Sequence, residues 1–118
     1  MELGKRLQPL RDEGVLIIGS GFMTHGLPFL RDWRIAADAP SWSSDFDAWA
    51  AEALATGDVD ELANFKSNAP GMPYAHPTVE HFTPLFITLG TAEVPDTAPK
   101  TLIEGYFMGL SKRSILVA

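Results

Sequence analysis

The sequence predicts an α/β fold, with a mixed central sheet and flanking helices, forming a single domain over residues 1–118. Three observations point to it. Residues 15–18 (Val-Leu-Ile-Ile) form an unbroken aliphatic run of strand length, closed by Gly19-Ser20-Gly21. Two stretches, 45–56 and 79–89, carry apolar residues at helical spacing. Two further β-rich runs, 102–106 and 113–117, follow near the C-terminus.

The elements follow in order along the chain. Residues 2–13 read as a helix with Leu3, Leu7 and Leu10 on one face. Pro9 interrupts it, because an interior proline removes one hydrogen bond and kinks the helix, and Gly14 ends it. The run at 15–18 is apolar on both faces, which suits a central strand covered by helices on each side. Residues 22–42 read as loop, broken by Gly26, Pro28 and Pro40. Ser44 is placed to cap a helix over 45–56, with Phe46, Trp49, Ala50 and Ala53 facing inward and Gly57 closing it. Asp58 and Glu61 have the spacing of a capping box for a short helix through Phe65. A loop rich in proline and glycine covers 67–78. Thr78 is then a credible N-cap for a helix over 79–89, with Phe82, Leu85, Phe86 and Leu89 as its stripe. Residues 91–100 read as loop, and 102–106 and 113–117 as strands, the first interrupted by Gly105. The carboxylates Asp45, Asp47, Asp58, Asp60 and Glu61 read as caps and a solvated helix face, and Trp33, Trp42 and Trp49 as core.

Composition narrows the function classes. Nine basic against fifteen acidic residues give a net charge of −6, which argues against nucleic acid or an anionic membrane as the main partner. Cysteine is absent, which removes disulfides, thiolate metal sites and a cysteine nucleophile. No apolar run approaches the length of a membrane span, and the N-terminal charges have no signal core behind them, so a soluble cytoplasmic protein is expected. Dinucleotide-binding, nucleophile-elbow, zinc-protease and P-loop signatures all fail; Thr24, for instance, stands where a dinucleotide fingerprint needs its third glycine.

Histidine is the informative residue type. His25 lies just beyond the Gly-Ser-Gly that ends the first strand run, where open α/β sheets bind ligands. His76 and His81 are five apart with Pro77 between them, so they do not share a helix face as an i, i+4 zinc pair does. His76 falls in the loop, and His81 at the third position of the expected helix, beside the dipole of its first turn. From spacing alone the non-functional reading is favoured, His25 as a loop residue exposed to solvent and His81 as a residue flanking the core beside Leu85, with Glu80 complementing the helix dipole.

Taken together the motifs resemble a known family. Gly14-Val15-Leu16-Ile17-Ile18-Gly19-Ser20-Gly21 followed by Thr24-His25, then His76-Pro77-Thr78-Val79-Glu80-His81-Phe82-Thr83-Pro84-Leu85, resemble the class III extradiol ring-cleavage dioxygenases, in particular the DOPA-dioxygenase-like branch and its C-terminal part. The flanking Leu7-Gln8-Pro9-Leu10-Arg11-Asp12-Glu13 and Gly109-Leu110-Ser111-Lys112-Arg113-Ser114 are similar to that branch too. The resemblance implies a non-haem Fe(II), or Zn(II) in some members, with molecular oxygen as co-substrate and a catechol-type aromatic as substrate. It implies that His81 is a metal ligand, His25 the acid/base histidine, and His76 a substrate-contacting or supporting residue. Neutral imidazole suits both metals, and a histidine titrating near neutrality suits the proton transfers. Two positions usually asparagine in the family are Phe22 and Gly26 here.

In the family the remaining metal ligands come from an N-terminal half. The resemblance therefore implies an incomplete portion of a larger α/β dioxygenase domain, acting as a truncated chain or split subunit, inactive alone, and completed by that half or by a second copy. A non-catalytic interaction module derived from the same fold is the other reading, and a small α/β protein with coincidental motifs a third.

Overall fold

Residues 41–57 show how directly local sequence sets structure here. In the computed structural model, which describes residues 1–118, helix α2 spans Ser41–Thr56. Its many alanines are strong helix formers, and Gly57, in the left-handed conformation at φ 70, ends it as expected. The helix starts earlier than Ser44, directly after Pro40 in the extended conformation. Its buried stripe is Ser43, Phe46, Asp47, Ala50, Ala53 and Leu54. Asp58 then caps helix α3, Val59–Ala63, accepting the Glu61 N–H at 2.9 Å. Only half of the expected capping box forms, because the Glu61 carboxylate accepts from the Trp49 indole N–H and the Asn68 amide instead. The Asp58→Ala variant is therefore expected to lose about 1 kcal/mol, read as a lower urea midpoint. The short helix α4 spans Phe65–Asn68.

At the N-terminus, α1 covers Glu2–Leu7 and passes into a 3-10 turn at Gln8–Arg11, so Pro9 acts as its residue type predicts. The expected leucine face is not what packs. Leu3 is exposed, and the buried residue is Gly4, whose backbone lies against α5, Thr83–Leu89; a methyl there would run into the Ile87 carbonyl and Gly90.

Helix α5 is shorter than the pattern suggests. It begins at Thr83 rather than Val79, with Pro84 in its first turn, where a missing N–H costs nothing. Thr78 does not cap it; its hydroxyl bonds the Glu80 carboxylate at 2.6 Å. His81 consequently lies in the turn ahead of the helix, not at its third position.

The strands form two antiparallel ribbons. β1 (Lys100–Ile103) pairs with β4 (Ser114–Leu116), and β2 (Tyr106–Phe107) with β3 (Leu110–Ser111). The second ribbon turns through Met108 and Gly109, both at positive φ, the pairing that a two-residue hairpin of matching twist requires. Gly105, at φ 105, separates β1 from β2.

Residues 15–18 depart furthest from expectation. They run without turn or bend, but they join no ladder and are not covered on both faces. Leu16 is 78% exposed and Ile18 76%, while Ile17 is half-buried. A strand needs a neighbour for its N–H and C=O groups, and no segment of these 118 residues supplies one. The core lies instead where Phe46, Leu62, Phe65, Phe82 and Met23 meet between α2, α3, α4 and the turn before α5. Trp42 and Trp49 pack against it, whereas Trp33 is exposed and not part of it. No helix is long and apolar enough to cross a membrane.

Candidate functional site

Two loops, 22–26 and 74–82, are laced together by backbone bonds. The Phe22 N–H donates to the His81 carbonyl at 3.3 Å, and the His25 N–H to the Ala75 carbonyl at 2.7 Å. Such close approach explains two glycines. A methyl at Gly21 would meet the His81 carbonyl, and one at Gly26 would meet the Tyr74 carbonyl and the Trp42 ring. Glycine rather than asparagine after His25 is thus a packing requirement of this chain.

The lacing brings His25 and His81 together from 56 positions apart. Their rings stack, with centroids 3.6 Å apart and planes 22° from parallel, and Phe22 lies edge-on to His25. Partial burial, and then the neighbouring His81, lower the His25 pKa, so His25 is neutral at pH 7. His81 is half-buried, with its Nε2 3.6 Å from a Glu80 carboxylate oxygen. The Thr78 hydroxyl holds that carboxylate below the usual range. His81 also borders an open cavity of about 290 Å³, together with Gly19, Phe22, Met23, Pro84 and Arg113; His25 does not line it.

His76 is not in this open region. It is 2% exposed and set among Phe46, Phe65 and Phe82. Its Nε2–H donates to the Met23 carbonyl at 2.8 Å, which fixes the tautomer, and its Nδ1 has no partner. Burial, only partly offset by the Met23 bond, pushes its pKa down to about 4. Protonation would place an unpaired N–H in an aromatic core. As pH falls below 6.5 the unfolded chain takes up this proton and the folded chain does not, so stability is full above 6.5 and is lost towards pH 4. The shift from 6.5 to about 4 corresponds to about 3 kcal/mol. Urea midpoints should fall over this window in the wild type and stay flatter in His76→Gln; equal slopes would remove the role given to His76.

A buried polar chain missing from the sequence reading holds the site from behind. The Ser111 N–H donates to the Thr24 hydroxyl at 2.7 Å, and the Thr24 and Ser43 hydroxyls are bonded at 2.8 Å. The Ser111 hydroxyl donates to Asp47, which also accepts Arg113 Nε and Nη2 at 2.9 and 2.8 Å. Arg113 Nη1 reaches Glu104 at 3.0 Å. Asp47 is therefore buried and ion-paired, not part of a solvated face. The signal was its position three residues before Ala50 and seven before Leu54, on the buried stripe of α2.

Residues 1–109 match the family described as the catalytic LigB subunit of aromatic ring-opening dioxygenase. The chain is 45% identical over 94 residues to a 4,5-DOPA dioxygenase extradiol of Beta vulgaris, the match taking in 77% of this chain and 33% of that protein. It is 32% identical over 122 residues to the Escherichia coli (strain K12) protein of the same name, with 98% and 43% covered. The crystal structure of an uncharacterized Escherichia coli K12 protein superposes with a TM-score of 0.83 at 30% identity, covering 99% of this chain and 48% of that one. The chain thus spans less than half the length of these curated relatives.

Proposed function

The chain belongs to the LigB family of aromatic ring-opening dioxygenases, the extradiol type, and on that premise we propose that it forms part of the active centre of an extradiol dioxygenase acting on a catechol-type aromatic. The observation that carries this reading is the stacked His25–His81 pair. An imidazole lone pair lies in the plane of its ring. Two rings stacked 3.6 Å apart and nearly parallel cannot both aim lone pairs at one ion, since bonds of roughly 2.0–2.1 Å to both would require converging planes. One ring of the pair can ligate and the other must act differently.

His81, which borders the cavity, is assigned the ligand role. The fit is partial: no group of three histidine or acidic side chains is gathered around one point in this chain, so the other ligands are assigned to polypeptide outside these 118 residues. A bound Fe(II) or Zn(II) would supply Lewis-acid polarisation and a template for the aromatic diol and dioxygen. The chain's own residues do the rest. His25, neutral at pH 7, takes a phenolic proton and later returns it. His76 holds the Met23 carbonyl and thereby the loop on which His25 sits; its burial favours support over substrate contact. Phe22 and Met23 give the cavity an apolar wall suited to an aromatic ring.

Two measurements test the reading. The isolated chain, with one assigned ligand, should bind Fe(II) or Zn(II) only weakly, with a dissociation constant above roughly 1 µM. Tighter stoichiometric binding in calorimetry would overturn the single-ligand assignment. Joined to the part of the Beta vulgaris enzyme that it does not match and supplied with Fe(II), the chain should consume oxygen with a 3,4-dihydroxyphenyl substrate, as the name of that relative suggests. A folded, metal-loaded hybrid with no ring cleavage would leave the interaction-module reading in its place.

A further inference from the structure

We infer that the unpaired segment at residues 15–21, with the adjoining edge of β4, is a docking face for a β-strand of the polypeptide that completes a family-length domain. The inference rests on the family membership above, but not on catalysis.

Three observations carry it. No backbone N–H or C=O from Leu16 through Gly21 makes a hydrogen bond; the bonded groups are Val15 N–H to Leu10 and Phe22 N–H to His81 at either end. Extended backbone with free donors and acceptors is the template for strand addition. Second, Leu16 and Ile18 are 78% and 76% exposed. Leu116 of β4, also exposed, borders the same cavities as Leu16 and Ile17. A contiguous apolar surface of this kind marks an interaction site. Third, the segment lies close against the rest of the chain at its glycines. A methyl at Gly19 would strike the Thr88 side chain and the Pro84 carbonyl of α5, so Gly19 and Gly21 let the backbone lie flat on the turn and helix beneath it.

The occupant follows from length. This chain superposes over 99% of itself on 48% of a chain about twice as long, at a TM-score of 0.83. It therefore keeps the shape of part of a larger fold, and the residues of the larger chain beyond the match must pack on some face of that part. The face with unpaired backbone and exposed aliphatic side chains is the one left unfinished. A second copy is less suited, because each copy carries a net charge of −6.

The test is co-expression of the full chain with the tagged part of the Beta vulgaris enzyme that it does not match; the matching part of that enzyme, co-expressed the same way, is the control. The expected result is a one-to-one complex in which amides 16–21 gain hydrogen-exchange protection. Ile18→Asp, a change at an exposed side chain outside the core, should weaken the complex roughly tenfold or more. Failure of this chain to co-purify where the control does would overturn the inference. So would a complex that leaves amides 16–21 unprotected, or a homodimer that protects them without any partner. A complex that forms without ring cleavage would leave the docking face standing and refute the catalytic reading alone.

Discussion

Alanine at His81 is expected to strip the metal and all ring cleavage from a completed domain, whereas alanine at His25 should leave the metal in place and slow turnover by about 10²–10⁴-fold. The contrast follows from the stacking geometry, in which only one of the two rings can point its lone pair at the ion. Losing a ligand from a three-ligand site removes the metal, while losing a proton carrier leaves it bound. His25→Ala should also change the pH profile. Burial, and then the neighbouring His81, lower the His25 pKa, which favours its unprotonated form at pH 7. The acid limb of the wild-type rate should therefore lie at lower pH than an ordinary histidine would give, and that limb should vanish in the variant. Metal content and oxygen uptake, measured on each variant, separate the outcomes. Equal metal loss in both would make His25 a ligand, and full activity in both would remove both histidines from the chemistry.

The parts of the fold legible in the sequence were those that residues decide locally. Gly57 ends α2 and Asp58 caps α3, because each acts on its own turn through a left-handed φ or one side-chain acceptor; the helix expected over 2–13 with its stop at Gly14 instead ends at Leu7, ahead of Pro9. Where two local signals competed, pattern alone chose wrongly. Thr78 and Pro84 both mark helix starts, and the proline prevails because Thr78 spends its hydroxyl on Glu80. Residues 15–18 show the limit from the other direction. Their composition asks for a strand, but a strand is a relation between two segments, and these 118 residues hold only one of them.

The site was legible only through resemblance. Spacing says nothing about His25 and His81 meeting, since what joins them is backbone lacing between distant loops. The resemblance offered His76 as a substrate-contacting or a supporting residue, and the structure buries it among phenylalanines with its Nε2–H on the Met23 carbonyl. Asp47 was misread because a carboxylate is usually exposed. Its helical phase beside Ala50 and Leu54 outweighed its charge, and Arg113, 66 residues away, satisfies it.

That ion pair gives the second large effect, an expected loss of about 3–5 kcal/mol for Asp47→Ala, against a total stability for a single domain of about 5–15 kcal/mol. The side chains of Asp47 and Arg113 are each only 9% exposed, so neither can turn to water once its partner is gone. The variant leaves Arg113 with Glu104 alone, and the Ser111 hydroxyl with no acceptor. Both costs fall on groups behind the His25 loop, because Ser111 also holds Thr24. The stabilising effect of the pair is therefore mostly the avoidance of a buried cation left with only one, exposed, carboxylate partner. Replacing both partners, Asp47→Leu with Arg113→Leu, should accordingly cost less than Asp47→Ala alone. Asp47→Asn, which keeps the volume and one acceptor, should fall between the wild type and Asp47→Ala and serves if the alanine variant does not fold. Asp45→Ala, two positions earlier and exposed, is the control and should change stability by no more than about 0.5 kcal/mol. Urea midpoints for the four variants decide it. An Asp47→Ala midpoint indistinguishable from that of Asp45→Ala would mean that the pair is solvated after all and that the polar chain does not hold the site.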